Sequence, residues 1–266
     1  MSTIGFIGAG NMAQAIINGI IKAGLYASKD IVISDISGEQ VETCKRRFGI
    51  TSSQSNSHLA SESDVIVLSV KPQVMDAVLD EIKQSVTGGK TIISIAAGIT
   101  TSKVAAGLAN VPVVRVMPNT PALVGCGMAG IFTNSTDPNV INTAVKIFSA
   151  IGKTVVVDSE DSIDAVTAVS GSGPAYYFLL MEQMIEAAIK LGLNKDIAAQ
   201  LVLQTAKGAA LLAEQSEDSP DVLRKKVTSP GGTTQAALEV FEKHNFNNIV
   251  EDALSAANNR AKELSI

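Results

Sequence analysis

The pattern of hydrophobic and polar positions changes character near residue 160. Up to that point, short β-branched runs alternate with amphipathic helical patterns. The runs predict strands at residues 3–7, 31–34, 65–70, 91–95, 113–117, 128–132 and 154–157. The patterns between them predict helices at residues 12–23, 38–48, 73–85, 101–108 and 139–151. Because helical crossovers join parallel strands, residues 1–160 predict an α/β domain with a doubly wound, Rossmann-type parallel sheet.

Residues 161–266 predict a second, all-helical domain, because the β-branched runs stop there. Helical patterns cover residues 175–191, 195–215, 221–227, 233–245 and 248–264. The first two are apolar around most of their circumference, which requires burial on every side. A domain of about 105 residues offers little core for that burial, so a subunit interface is predicted to cover these helices.

Composition and charge narrow the function classes. The chain is 46% apolar and 18% charged, as expected of a globular protein, and its net charge of -5 gives no basic surface for a nucleic acid. The apolar segment 175–181 is too short to span a membrane. Cys44 and Cys126 match no metal-ligand spacing, so we expect no metal and a reducing, cytoplasmic setting. His58 and His244 have no partner in sequence and are not expected to be catalytic.

A glycine loop follows the first predicted strand directly. Gly8, Gly10 and Ala13 form the G-x-G-x-x-A pattern of dinucleotide binding, at a turn between a strand and a helix. Gly8 permits the turn, Gly10 lets a pyrophosphate approach the backbone, and the helix N-terminus supplies amide donors. The candidate cofactor residues of this loop are Ile7, Gly8, Ala9, Gly10, Asn11 and Met12.

Further cofactor candidates lie where the next predicted strands end. Asp35 follows the second strand, where its carboxylate could accept from a ribose 2′-hydroxyl but would repel a 2′-phosphate, so it favours NADH. The alternative is that Asp35 only faces solvent. Lys71 either neighbours a phosphate or forms an ion pair, and the small residues after the fourth strand leave room for the cofactor. The candidates at these three ends are Ser34, Asp35, Ser69, Val70, Lys71, Pro72, Ala96, Ala97 and Gly98.

Two loops are candidates for the substrate. Asn119 lies between Pro118 and Pro121 in a rigid loop after the fifth strand, although turn chemistry alone would explain that loop. Residues 228–234 combine two glycines with four hydroxyls just before a helix, which makes a site for a carboxylate, or else an elaborate helix cap. Residues 170–174 are interpreted as a hinge and a cap.

Taken together, six segments resemble the pyrroline-5-carboxylate reductase family, and the match runs from end to end. The Ser-Pro-Gly-Gly-x-Thr segment is the signature of that family and is more specific than the glycine loop. The six segments are residues 7–12, 70–72, 96–98, 117–121, 170–176 and 229–234.

The resemblance implies an enzyme that reduces L-1-pyrroline-5-carboxylate to L-proline with NADPH or NADH, the last step of proline biosynthesis. It implies dimerisation through the helical domain, active sites completed across the dimer, and assembly of dimers into decamers in some members. It places Ser34 and Asn56 near the adenosine, Thr234 at the ring nitrogen, and Glu217 near the substrate. The substrate residues that it implies are Glu217, Val227, Ser229, Gly231, Gly232, Thr233 and Thr234.

Two rival functions fit parts of the chain. A β-hydroxyacid dehydrogenase would carry a catalytic lysine on the helix after the sheet, and residues 173–179 contain none. A dinucleotide sensor without catalysis would keep the glycine loop but would not need the loop at 229–234. An imine, whose nitrogen can be protonated before hydride arrives, needs less acid catalysis than a carbonyl, which suits a substrate loop without histidine.

Overall fold

The computed structural model describes residues 2–108 and 111–265. These residues form two compact units. The sheet unit runs to Pro174 and also includes residues from Ala256 onward, whereas the helical unit comprises Ala175–Ser255. The division into domains at residues 1–160 and 161–266 stays a prediction.

Within the described residues, eight strands form the sheet, in the order β3-β2-β1-β4-β5-β6-β7-β8. Each neighbouring pair is parallel except β6 and β7. The strands are β1 Ile4–Ile7, β2 Ile31–Ser34, β3 Thr51–Ser52, β4 Val65–Leu68, β5 Thr91–Ser94, β6 Val113–Met117, β7 Gly127–Thr133 and β8 Gly152–Val156. The predicted α/β class with a Rossmann-type sheet is therefore confirmed.

The prediction of a wholly parallel sheet is wrong at one pair. Only a short 3-10 helix, Thr120–Val124, separates β6 from β7, so no helical crossover carries the chain back before the next strand. β7 therefore returns alongside β6 with Met117 opposite Gly130, and β8 then pairs with β7 in parallel.

Helices flank the sheet and make up the helical unit. Those before the helical unit are α1 Asn11–Lys22, α2 Gly38–Phe48, α3 Asn56–Glu62, α4 Met75–Ile82, α5 Thr101–Gly107, α6 Pro138–Ser149 and α7 Asp161–Val166. A π-helical turn, Thr167–Gly171, follows α7. The remaining helices are α8 Gly173–Lys190, α9 Lys195–Gln215, α10 Pro220–Lys226, α11 Thr233–Lys243 and α12 Phe246–Leu264. In the described part of the chain, no helix has the length and apolar character needed to cross a membrane.

The core explains why the strands are continuous apolar runs. Along β4, Val65 and Val67 belong to one hydrophobic cluster, whereas Ile66 and Leu68 belong to another. Since successive side chains of a strand point to opposite faces, both faces of the sheet are covered. The helical unit has a much smaller core of its own. In α9 the buried residues are Ala198 and Val202, and no residue of α10 or α11 is buried.

Candidate functional site

The glycine loop is fixed where β1, β2 and β4 end. Gly8 has φ +100°, and a Cβ atom there would lie 2.6 Å from the carbonyl oxygen of Ser69. Its N–H donates to the Ser34 carbonyl over 2.8 Å. The Ser69 hydroxyl donates to the carbonyls of Ile7 and Gly8 at 3.0 and 2.7 Å. Three predicted cofactor segments therefore meet at one edge of the sheet, and only glycine fits at position 8.

The start of α1 fits the pyrophosphate of a dinucleotide. Gly10 is the N-cap of α1, and no side chain caps this helix. A Cβ atom added to Gly10 would meet nothing within 4 Å, so the space beside the backbone is open. The first turn contains no acidic residue. Backbone amides of the first turn, including those of Asn11 and Met12, are therefore available to an anion.

Asp35 has a role that its sequence position did not reveal. Its Oδ2 accepts from the Ala9 N–H at 2.7 Å, and its Oδ1 accepts from the Ser37 N–H at 2.8 Å. The carboxylate therefore holds the glycine loop against the loop after β2, and the alternative in which it only faces solvent is wrong. The next residue, Ile36, is fully exposed.

Asn56 is bound to a neighbouring helix. Its backbone N–H and its Nδ2 both donate to the Glu81 carboxylate on α4, over 3.0 and 2.7 Å. A contact of Asn56 with the adenosine stays a prediction, and Glu81 is a partner that sequence reasoning missed.

The segments after β4 and β5 differ in exposure. Lys71 is exposed and forms no ion pair with any described residue, so its ion-pair interpretation finds no partner. Ala97 is exposed, whereas Ala96 and Gly98 are buried. Gly98 has φ +72°, and a Cβ atom there would lie 2.3 Å from the Leu264 carbonyl oxygen. Its small size therefore makes room for the end of α12, a reason that the sequence did not reveal.

Asn119 joins three segments of the sheet unit. Its Nδ2 donates to the Ser170 carbonyl over 3.0 Å, and its Oδ1 accepts from the Met128 N–H at 2.8 Å. The side chain thereby links the loop after β6 to the π-helical turn and to β7. Its contact with substrate stays a prediction.

The loop before α11 presents unused donors within the helical unit. Gly231 has φ +70°, and its N–H donates to Gln235 Oε1 over 2.7 Å. Gly232 is the N-cap of α11, and no side chain caps this helix. Thr234 is half-buried, and its hydroxyl makes no hydrogen bond to a described residue. The Gln235 side chain therefore binds one amide before the helix, as the cap interpretation requires, while the amides of the first turn of α11 and the Thr234 hydroxyl remain for a ligand.

The residues around that loop supply charge of both signs. Arg224, Lys225 and Lys226 occupy the last turn of α10. Lys225 pairs with Asp221 over 3.1 Å, and Lys226 pairs with Asp218. Glu217, another substrate candidate, is exposed in the loop between α9 and α10. A hydrogen bond from the Ser219 hydroxyl lowers the pKa of Asp221, so this carboxylate keeps its charge to a lower pH than a free aspartate does.

Two family models match the chain. The model described as pyrroline-5-carboxylate reductase dimerisation matches residues 160–264. The model described as NADP oxidoreductase, coenzyme F420-dependent, matches residues 3–98. The two matched regions contain the loop before α11 and the glycine loop, respectively.

Named relatives and solved structures match along their whole length. The pyrroline-5-carboxylate reductase of Pseudomonas aeruginosa is 46% identical over 269 residues, covering 100% of this chain and 98% of the relative. That of Arabidopsis thaliana is 37% identical, covering 98% and 95%. The structure of a pyrroline-5-carboxylate reductase from Coxiella burnetii gives a TM-score of 0.94 at 43% identity, covering 100% and 99%. The NADP-bound pyrroline carboxylate reductase of Plasmodium falciparum gives 0.89 at 32%, covering 100% and 98%.

Proposed function

This chain belongs to the pyrroline-5-carboxylate reductase family, and we propose that it reduces L-1-pyrroline-5-carboxylate to L-proline with NADPH or NADH, the last step of proline biosynthesis. The observation that carries this proposal is that two helices begin after predicted ligand loops and that no side chain caps either of them. One, at Gly10, follows a dinucleotide-binding turn, and the other, at Gly232, follows the Ser-Pro-Gly-Gly segment. Each offers amides to an anion, as a cofactor pyrophosphate and a substrate carboxylate require.

A bound reduced nicotinamide would supply the hydride. The first turn of α1 would hold the pyrophosphate, and Ser69 keeps the glycine loop in the shape that this contact needs. The amides at the start of α11 hold the substrate carboxylate. The ring nitrogen, protonated before the transfer, takes the π-electron pair of the C=N bond as the new C–H bond forms. The Thr234 hydroxyl donates a hydrogen bond to the lone pair that results on that nitrogen. Aligning the imine carbon for this transfer is then the main task of the protein.

The substrate test uses purified protein with L-1-pyrroline-5-carboxylate and each reduced nicotinamide in turn. We expect cofactor oxidation that depends on the substrate and yields proline, identified by mass spectrometry. The same assay with a linear 2-oxo acid is the control for carbonyl reduction. If no proline forms with NADPH and none forms with NADH, the proposed function is wrong.

We also propose a homodimer formed through the helical unit, with each active site completed across it, and decamers built from such dimers. The match to a dimerisation model supports the dimer. A Gly8→Ala variant, whose Cβ would clash with Ser69, and a Thr234→Ala variant test the shared site. If each site takes its two loops from different subunits, refolding the two impaired variants together raises activity to about a quarter of the wild-type value. No restoration would place both loops of a site in one subunit.

We propose that the enzyme works in the cytoplasm. Cys44 and Cys126 are both free thiols, the state that a reducing compartment maintains. Burial raises the pKa of the Cys44 thiol, so that cysteine stays protonated and unreactive. Activity that fractionates with secreted rather than cytosolic protein would contradict this location.

A further inference from the structure

A buried charged cluster in the sheet unit contains none of the predicted site residues. Arg115, on β6, is 3% exposed. Its Nη1 lies 3.2 Å from Glu160 Oε1, and its Nη2 lies 3.3 Å from Asp164 Oδ1. Taking these charges out of water costs free energy that an apolar core would avoid, so stability alone is a weak reason for the cluster.

Two chains of contacts lead away from Arg115, and we call each of them an arm of the cluster. One arm runs through Glu160 to the segment Gly98–Thr101, next to the predicted cofactor residues Ala96–Gly98. Oε1 of Glu160 accepts from the Thr101 N–H at 2.7 Å, and Oε2 accepts from the Thr101 hydroxyl at 2.8 Å. Thr101 begins α5, three residues after Gly98. The guanidinium of Arg115 thus orients the carboxylate that fixes the far end of the Gly98–Thr101 segment.

The other arm leads to the same segment through α12. The Ser265 hydroxyl donates to Asp164 Oδ1 over 2.9 Å and accepts from Arg115 Nη2 at 3.3 Å. The preceding residue, Leu264, places its carbonyl against Gly98, where a Cβ atom would lie only 2.3 Å away. Leu264, at the end of α12, and Ser265, just after it, belong to the sheet unit, so both arms lie within one compact body.

The two arms leave one guanidinium and meet again at the segment Gly98–Thr101. On the function proposed above, we infer that Arg115 is a positioning residue for the cofactor. Through Glu160 and through Ser265 it holds the Ala96–Gly98 segment at the distance from the glycine loop that the dinucleotide requires. The predicted substrate loop belongs to the helical unit and contributes no residue to these contacts, so we expect the effect to fall on the cofactor.

Two mild substitutions test the two arms separately. Ser265→Ala removes one hydroxyl, and Glu160→Gln removes one charge, while Arg115 stays in place. We expect the dissociation constants of NADPH and NADH, titrated by the fluorescence of the reduced nicotinamide, to rise about 2- to 30-fold. The KM of the cofactor rises in parallel, whereas the KM of the imine and kcat at saturating cofactor stay at wild-type values.

Conservative and matched variants separate positioning from stability. Ser265→Thr keeps the hydroxyl and restores cofactor affinity. Arg260→Met removes an exposed ion pair with Glu263 on the same helix, 2.7 Å long, and leaves affinity unchanged. Variants with a lower melting temperature but wild-type nucleotide binding would overturn the positioning role. A wild-type protein that binds neither nucleotide would instead overturn the proposed function itself.

Discussion

The carboxylate of Asp35 holds the glycine loop, because its oxygens accept from the amides of Ala9 and Ser37. We predict a second task for its charge, which lies at the end of β2. A negative charge there would repel a 2′-phosphate by about 1 kcal/mol or more, so the wild-type enzyme should use NADH readily.

Asp35→Asn keeps an acceptor for one amide but removes the charge. We expect the ratio of kcat/KM for NADPH to that for NADH to rise about fivefold at low ionic strength. The Asp30→Asn variant is the control, because Asp30 lies before β2, at the opposite end of the same strand. An unchanged ratio in Asp35→Asn would show that the carboxylate serves the loop alone.

Thr234 has a hydroxyl without a partner among the described residues, in a half-buried position at the start of α11. If it bonds the ring nitrogen more strongly as the amine forms, Thr234→Ala should lower kcat/KM about 10- to 150-fold. Cofactor affinity should hardly change, and Thr234→Ser should retain much of the activity.

The control for Thr234 is a neighbouring threonine with a structural bond. The Thr228 hydroxyl donates to the Arg224 carbonyl over 2.7 Å. Thr228→Ala should therefore lower the melting temperature and leave turnover near normal. The same result for Thr234→Ala would show that Thr234 supports only the fold.

Sequence alone predicted which segments lie beside the glycine loop at one edge of the sheet, but not the bonds that shape this edge. The positions of Gly8 and Gly10 follow from local rules, because a strand, a tight turn and a helix are adjacent in the chain. Ala9 lies 26 residues from Asp35, Ser170 lies 51 residues from Asn119, and Leu264 lies 166 residues from Gly98. Such tertiary contacts leave no local pattern, so the sequence could not predict what these side chains bind.

At the scale of elements, the long periodic helices and apolar strands were predictable and the short pieces were not. The helix α3 was missed because it spans seven residues and buries only Leu59 and Ala60, too few to make a helical pattern. The strand β3 has two residues, both exposed. The antiparallel return of β7 was missed because strand direction depends on the connection before it, which here is a 3-10 helix.

The junction of β1 and β4 makes stability depend on pH. Asp64, next to β4, accepts from the N–H of Thr3 at 2.8 Å, and this bond lowers the pKa of the carboxyl. Because the pKa is lower in the folded state, the charged carboxylate stabilises the fold at pH values above the ordinary aspartate pKa. This stabilisation is lost as the pH falls through the folded-state pKa.

Asp64→Asn should therefore lower the free energy of unfolding by about 0.5–1 kcal/mol at neutral pH. The difference from wild type should shrink as the pH falls below about 4. Urea unfolding at several pH values measures it. The control is Asp80→Asn, since Asp80 forms an exposed ion pair with Lys83 at the C-terminal end of α4. A difference that is independent of pH would mean that the carboxylate charge is not involved.

At the scale of the whole molecule, the two halves of the predicted site belong to different compact units. The glycine loop, Ser69 and Ala96 lie in the sheet unit, whereas residues 227–234 lie in the helical unit. The helical unit also has few buried residues of its own. Its long helices expose large apolar side chains, including Tyr177, Phe178, Leu201, Leu203 and Leu212, each more than half exposed.

Such exposure is far more than a stable monomer normally leaves to water, and it predicts an obligate oligomer. Burying one leucine contributes about 1.5–3 kcal/mol, so Leu203→Glu should weaken association at least about 10-fold. Sedimentation of the variant and of the wild type is measured across a dilution series, with activity at each concentration. The variant should dissociate at higher concentrations than the wild type, and turnover should be lost together with the oligomer. Gln84→Glu adds the same charge to an exposed position of the sheet unit and should leave the oligomer intact. A wild-type protein that stays monomeric and active at every dilution would contradict the prediction.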